Sequence, residues 1–315
     1  MGSPRKGWYL WYVRKVGKKL PQSENFTEGA WCLGAARIML ALTFAATVHI
    51  SVLGAFHPTQ FEIRPAEGST LMVEQEGRTA VVKFDSPVRL TGSAHVTGRF
   101  GSLTHFWLSV PGKAEREYFG RLEVRPGTGK QLLAIVEMDL ETAVASIVHA
   151  EGTTGLPFEA RKAQAVAARS YLIAANGLRH VGYEFCDQEH CQFLRDVPPV
   201  GSEEARSANL TRGQVLVYKG KVIPALYSAN CGGHTRNLSE AGWLEPGTPT
   251  NYPYYGVSCP LAGPVNGHRV GMCQLGAIAI AKEGKASNVI LAHYFPNTAI
   301  GVVSLSAGRD VRASR

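Results

Sequence analysis

The 315-residue sequence predicts an α+β fold, a β-rich N-terminal part packed with a helical part that bears the functional residues. Three features point there. Between 57 and 140, short runs rich in β-formers recur at roughly ten-residue intervals, punctuated by Gly and Pro, as in antiparallel strands. From 143 the apolar period changes to that of a helix. After 213, a hairpin pattern is followed by helices of small residues.

The elements follow in order. FEIRP, TAVVKFD, VRLTG, HFWLSV, YFGRLEVRP and QLLAIVEM are the expected strands. AVASIVHAEG is a short helix closed by a turn at Gly152–Gly155. Pro157 opens a second helix, at the position proline tolerates best. Ala163, Val166, Ala167, Ser170, Tyr171 and Ala174 share one face of it, and Asn176-Gly177 supplies the stop. Residues 178–200 read as an irregular loop. GQVLVYKGKVIPALYSA is a hairpin about Lys219-Gly220. A loop over 238–266 precedes a helix at Cys273–Lys282, closed by Gly284. A helix at Ser287–Tyr294 and the strand AIGVVSL complete the fold, with a tail after Ser306.

The expected domains are 1–56, 57–114, 115–306 and a tail at 307–315. In residues 1–56, Arg5, Lys6, Arg14, Lys15, Lys18 and Lys19 form a basic flank. The apolar run Ile38–Phe56 is about long enough to cross a bilayer. The segment reads as a membrane anchor, or as a cleaved signal peptide if translation begins at Met39, and a buried core helix is the third reading. Either export reading places the folded part outside the cytoplasmic membrane, in the periplasm or cell wall. The formal charge of +8 does not indicate nucleic acid. Residues 1–56 hold seven Lys/Arg and two Asp/Glu, which accounts for +5, and no basic stripe with interleaved aromatics follows.

Glu151 is an acid at the end of an apolar segment. Partial desolvation there raises a carboxyl pKa towards the range useful for proton donation. On the helix that follows, Lys162, Gln164, Arg169 and Ser170 are polar candidates beside it, with Arg169 expected to face outward towards substrate. Five cysteines remain after Cys32, an odd number. His180, Cys186, His190 and Cys191 offer two imidazoles and two thiolates, a donor set for tetrahedral zinc. A Cys186–Cys191 disulfide is the other reading, and Asp187 and His190 are candidates to face a cleft. Ser228, Gly232, Gly233, His234 and Thr235 lie in the SANCGGHTRN segment, where Cys231 could pair with Cys259. His268 and Gln274 belong to GHRVGMCQLGA. Tyr252, Tyr254, Tyr255 and Trp243 could stack on sugar rings or simply pack the loop. A Cys273/His268 peptidase dyad lacks an orienting Asn or Asp at recognisable spacing.

FGRLEVRP at 119–126, Glu151, KAQAVAARSY at 162–171, CDQEHCQ at 186–192, then the segments 213–237 and 267–284, occur in an order that resembles the SpoIID/LytB family. This is the family of stage II sporulation protein D and the amidase-enhancer domain. The resemblance spans about 115–305. It implies binding to peptidoglycan glycan strands, with enzymatic members acting as lytic transglycosylases on peptide-stripped strands and other members enhancing a separate cell-wall amidase. By position it makes Glu151 the catalytic acid, and it places His180, Cys186, His190 and Cys191 in the region that holds structural zinc in some members. Gly152-Thr153 stands where the family usually has Met-Pro. Arg236, Arg269, Cys273 and Leu275 also depart from its pattern.

One carboxyl suffices for such a reaction. The muramyl 6-hydroxyl attacks the anomeric carbon internally, so no water need be positioned, and the same carboxylate then takes the hydroxyl proton. The product end is a 1,6-anhydro sugar. Ordinary glycosidases need two carboxylates. A glycan-binding amidase activator and a zinc hydrolase using Glu151 as base are the alternative expectations.

Overall fold

The computed structural model describes residues 38–45, 47–84, 86–152, 155–175, 180–243 and 253–306. The fold is α+β. Its elements are β1 (Ile38–Ala45), β2 (Thr47–Val52), β3 (Phe61–Pro65), β4 (Leu71–Gln75), β5 (Arg78–Val82), β6 (Val88–Leu90), β7 (Ala94–Thr97), β8 (Thr104–Val110), β9 (Ala114–Pro126) and β10 (Leu132–Asp139). Then come α1 (Leu140–Glu151), α2 (Phe158–Ala174), β11 (Phe185–Cys186), α3 (Glu203–Leu210), β12 (Gln214–Tyr218), β13 (Lys221–Val222), β14 (Tyr227–Ser228) and β15 (Met272–Cys273). The last are α4 (Gln274–Lys282), α5 (Ser287–Tyr294) and β16 (Ala299–Ser306).

These elements form two units. One takes the described residues of Phe44–Thr154 and His180–Arg212, and the other those of Met1–Thr43, Gly155–Arg179 and Gly213–Ser304. The division is therefore not linear in the sequence. The helix that ends at Glu151 belongs with the β-rich unit.

In the β-rich unit the sheet runs β11-β2-β10-β9-β7-β4-β5, and β8, β3 and β6 branch from β9. Strand β9 is long enough to serve both branches. Arg121–Pro126 pairs with β10, and Ala114–Gly120 pairs with β8. At the changeover sits Gly120, where a Cβ would collide with the carbonyl oxygen of Glu137. Alternation sends Phe106, Leu108, Tyr118, Leu122 and Val124 inward. Asp139 caps α1 by accepting from the Glu141 and Thr142 N–H groups. Burial of Leu140, Ala143, Val144, Ile147 and Val148 then seats α1, which also packs on α3.

The apolar run Ile38–Phe56 is not a helix. Ile38–Ala45 and Thr47–Val52 are strands, and β2 lies between β10 and β11. Val48, Ile50, Val52 and Leu53 are core residues. β-Branched residues alternating with His49 and Ser51 suit a strand better than a span. The boundary expected at 56 thus falls inside the β-rich unit. Among the described residues no helix is long and apolar enough to cross a membrane. The basic flank, Cys32 and the rest of residues 1–37, the Asn176-Gly177 stop, Tyr252 and the tail at 307–315 lie outside the described residues.

The second unit contains the sheet β1-β16-β12-β13. Lys219 (φ 47°) and Gly220 (φ 75°) form the hairpin turn with both central residues left-handed, the twist a two-residue hairpin requires. Helix α2 packs against β12, α4 and α5. Its small residues Ala160, Ala163, Ala165, Ala167 and Ala168 are buried and allow close approach. Pro157 caps α2 from outside rather than opening it. Strands β14 and β15 pair in parallel, joining Ser228 to Cys273.

Candidate functional site

Glu151 is the last residue of α1 and is half-buried. The backbone N–H of Phe193 donates to its Oε1 at 2.9 Å. The Phe193 ring in turn lies under the Arg195 guanidinium, 4.7 Å from its carbon to the ring centre. Burial, then the charge of Arg116, push Arg195 below its ordinary range, and Asp187, Tyr118 and Glu151 oppose that shift. The segment after β11 therefore both fixes the acid and sets its electrostatic surroundings.

The expected ligand cluster lies just before Phe193, in β11 and on either side of it. One donor atom from each of His180, Cys186, His190 and Cys191 falls within 4.8 Å of the others. His180 Nε2 is 3.3 Å from Cys191 Sγ, and His190 Nε2 is 3.4 Å from Cys186 Sγ. The adjacent ligands 190 and 191 can converge because the chain turns there, with Cys191 N–H donating to Gln188 O at 2.9 Å. Cys186 and Cys191 are not joined by a disulfide. The neighbouring Cys191 sulfur, then burial, hold the Cys186 thiol well above its ordinary range. Two soft and two imidazole donors at this spacing fit a tetrahedral zinc ion, whose charge would reverse that penalty.

Asp187 does not face a cleft. It is 2% exposed, its Oδ2 accepts from Leu53 N–H at 3.0 Å and from Arg116 Nη1 at 2.8 Å, and its carbonyl accepts from Arg195. Burial raises its pKa against these partners. It anchors the ligand loop to β2 and β9. At the loop's start, Glu184 accepts from His49 N–H at 2.7 Å and pairs with His49 Nδ1 at 3.1 Å.

In the second unit, α2 places its polar residues differently from the sequence expectation. Arg169 is fully buried, and its Nη1 donates to Ala165 O and Gln214 O. It therefore joins α2 to β12 and does not face substrate. A buried guanidinium is tolerable because backbone carbonyls meet it. Ser170 is likewise buried, donating to Val166 O at 2.6 Å and accepting from Leu216 N–H at 2.9 Å. Both are corrected from glycan contacts to structural ties. Lys162 pairs with Glu159 at 2.8 Å. Gln164 is 4% exposed, and its Nε2 has no hydrogen-bond partner.

Around the two glycine-rich segments the geometry is tight. Ser228 is buried with an unpartnered Oγ. Gly232 and Gly233 take φ 78° and 106°, values that favour glycine. They turn the chain so that His234 is exposed. Thr235 is buried instead. Its Oγ1 exchanges hydrogen bonds with the backbone of Val257, so it holds a loop and does not reach a ligand. His268 Nδ1 accepts from Val270 N–H at 3.0 Å, which puts the proton of a neutral ring on Nε2. Its ring lies 5.1 Å from that of Trp243. Gln274 begins α4 and is half-buried. Arg269 adopts φ 69°, a left-handed backbone in a non-glycine residue. Its Nη2 donates to His234 O, and its carbonyl accepts from Arg236 N–H. Tyr254 and Tyr255 are buried and meet edge to face with centroids 4.9 Å apart, so they pack the loop and offer no sugar platform.

Cys231, Cys259 and Cys273 are free thiols, so the expected Cys231–Cys259 pairing is absent. Their sulfurs nevertheless gather within 4.8 Å of one another. Sequence reasoning missed that Cys273 joins them, because the three are far apart along the chain.

Residues 128–218 match the family SpoIID, described as Stage II sporulation protein. The matched span contains Glu151, the polar residues of α2 and the 180–191 cluster, and it ends before the two glycine-rich segments. An uncharacterized protein of Brachyspira hyodysenteriae is 31% identical over 121 residues, 38% of this chain and 33% of that protein. The chain thus spans about a third of the relative's length.

Proposed function

We propose, from the match of residues 128–218 to the SpoIID family, that the chain is a peptidoglycan-active lytic transglycosylase with Glu151 as acid and then base. The family is cell-wall related. The observation that carries the reading is the setting of Glu151: a half-buried carboxylate at a helix end, oriented by the Phe193 N–H at 2.9 Å. A carboxyl held at one oxygen keeps its orientation during a two-way proton transfer, first to the leaving glycosidic oxygen and then from the muramyl 6-hydroxyl. Internal attack by that hydroxyl supplies the nucleophile at high effective concentration.

The backbone beside the acid supports this. Gly152 stands where the family usually has the residue before a proline. A residue in that place is driven to extended or polyproline geometry. Gly152 takes φ −74° and ψ 141°, the same region. Gly152 thus keeps the extended backbone that a following proline would impose.

The second unit offers sugar-binding chemistry of its own. Exposed His234, the Nε2 of half-buried His268 and the half-buried Gly232-Gly233 backbone are suited to glycan hydroxyls. In the β-rich unit, His180, Cys186, His190 and Cys191 would hold zinc. Bound there, the ion would staple the segment that carries Phe193, a structural rather than hydrolytic role. The export read from the basic N-terminal flank suits a substrate outside the cytoplasmic membrane, whereas the span expected at Ile38–Phe56 includes the core strand β2. The reading is tested by incubating the protein with peptide-free murein glycan and identifying the new ends by mass spectrometry. Anhydro-muramyl ends support it, reducing ends indicate hydrolysis, and binding without cleavage favours an amidase activator.

A further inference from the structure

We propose that Cys231, Cys259 and Cys273 form a second, three-thiolate site for a single thiophilic divalent cation such as zinc, distinct from the histidine-bearing cluster of the β-rich unit. The three sulfurs come from three separate segments of the second unit and lie within 4.8 Å of one another. A tetrahedral ion about 2.3 Å from each sulfur holds its sulfurs about 3.8 Å apart. The cluster needs only a small contraction to reach that spacing.

Backbone N–H donors are directed at two of the three sulfurs. Cys273 is the N-cap of α4, where the positive end of the helix faces its sulfur. Its Sγ accepts from Gly276 N–H and from Cys231 N–H, each at 3.4 Å. The Gly233 N–H is directed at Cys231 in the same way. Tyr294 Oη lies 3.2 Å from Cys259 Sγ. Three thiolates around a divalent cation leave a net charge of −1, which this set of donors offsets. A disulfide would use two of the sulfurs, leave the third beside them, and gain little from N–H donors aimed at sulfur.

The space is also built for three sulfurs. Gly276 faces Cys259 Sγ and Tyr294 Oη so closely that a Cβ there would overlap both. Without a cation the buried Cys231 and Cys273 thiols resist ionisation. Burial, then the neighbouring cysteines, push Cys231 up to about 12, and Cys273 is raised mainly by burial. Cation binding therefore releases protons.

The consequence is a staple across the segments that carry Ser228, Gly232, Gly233, His234, His268 and Gln274. A cation there fixes the 228–237 turn, the loop before 266 and the start of α4 relative to one another.

The test uses the full chain, reduced, metal-stripped and titrated with Zn²⁺. A Cys186→Ser/Cys191→Ser variant removes the other cluster, so the two sites are read separately. The expected result is one zinc equivalent retained in that variant and lost when Cys259→Ser is added. Cys259 is half-exposed, so serine there is compatible with folding. In the unmodified protein, Zn²⁺ slows alkylation of Cys259 and chelation restores it, a readout that needs no variant. Retention of no zinc by the double variant, together with Cys259 alkylation indifferent to Zn²⁺, overturns the proposal. So does a Cys231–Cys259 disulfide in freshly purified protein that takes up no zinc after reduction.

Discussion

Phe193 N–H donates a 2.9 Å hydrogen bond to Glu151 Oε1, tying the acid at the end of α1 to the segment that follows the ligand cluster. Glutamine can still accept that bond, so Glu151→Gln should change stability by less than about 1 kcal/mol. It cannot exchange a proton. Loss of a general acid–base group lowers turnover by about 10²–10⁴-fold. Thermal melts and glycan cleavage measured on one preparation separate the two effects.

Zinc removal should act on the β-rich unit through the 180–191 loop. Chelation, or Cys186→Ser, is expected to lower the melting temperature, because metal binding to a preformed site adds directly to stability. The chemical nature of any product end should not change. Differential scanning fluorimetry with and without chelator checks the first outcome. A switch to reducing ends, or activity that tracks metal at unchanged stability, would indicate catalytic metal instead.

The His49–Glu184 pair sets a pH window. Glu184 is the main cause that raises the His49 pKa above 6.5, so that contribution is complete below about pH 6.5 and fades as pH rises through the folded value. Glu184 itself loses to burial but is lowered below 4.5 by hydrogen bonding to His49. Its contribution is present above about pH 4.5 and fades as pH falls further. The pair thus stabilises most between these limits. Both side chains are partly exposed, 45% and 22%, so solvent screening keeps the effect below about 1 kcal/mol. His49→Ala should lower the urea midpoint within that window and flatten its fall on either side of it.

Arg169→Met tests the reassignment of this residue. Methionine fills much of the volume but leaves Gln214 O without its buried donor. A loss of about 1–3 kcal/mol is expected for an unsatisfied buried acceptor. Glycan affinity per folded molecule should be unchanged, since the guanidinium is fully buried. Calorimetry and glycan binding together check this. Weakened affinity at unchanged stability would restore the outward reading.

Arg269 carries opposing effects. Its left-handed backbone at φ 69° costs about 1 kcal/mol relative to glycine, while its Nη2–His234 O bond offsets some of that. Arg269→Ala keeps the strain and loses the bond, whereas Arg269→Gly removes both. The glycine variant should therefore be about 1 kcal/mol more stable than the alanine variant in denaturant titrations.

Much of the fold could be read from local pattern. Strands β3, β8, β9 and β10 show alternation over their own length, and the Lys219-Gly220 turn identifies its hairpin. Strand β2 could not be read this way. Its alternation against His49 and Ser51 is short, and joined to the apolar Ile38–Ala45 it has the length of a span. Helix α3 was passed over although Ser202, Glu203 and Glu204 form a good start, with Ser202 Oγ accepting from Ala205 N–H. Within the site, the His180–Cys191 cluster was legible because its ligands are close in sequence. The burial of Arg169 and Thr235 was not, since their partners Gln214 and Val257 meet them only in the folded chain. The convergence of Cys273 on Cys231 and Cys259 has the same cause.

The most direct measurement is mass spectrometry of the ends produced from peptide-free murein glycan by the wild-type chain and by Glu151→Gln, matched for folded protein. The account predicts anhydro-muramyl ends from the wild type and a loss of at least about a hundredfold in the variant. Equal cleavage by the two proteins would contradict it by removing Glu151 from the reaction.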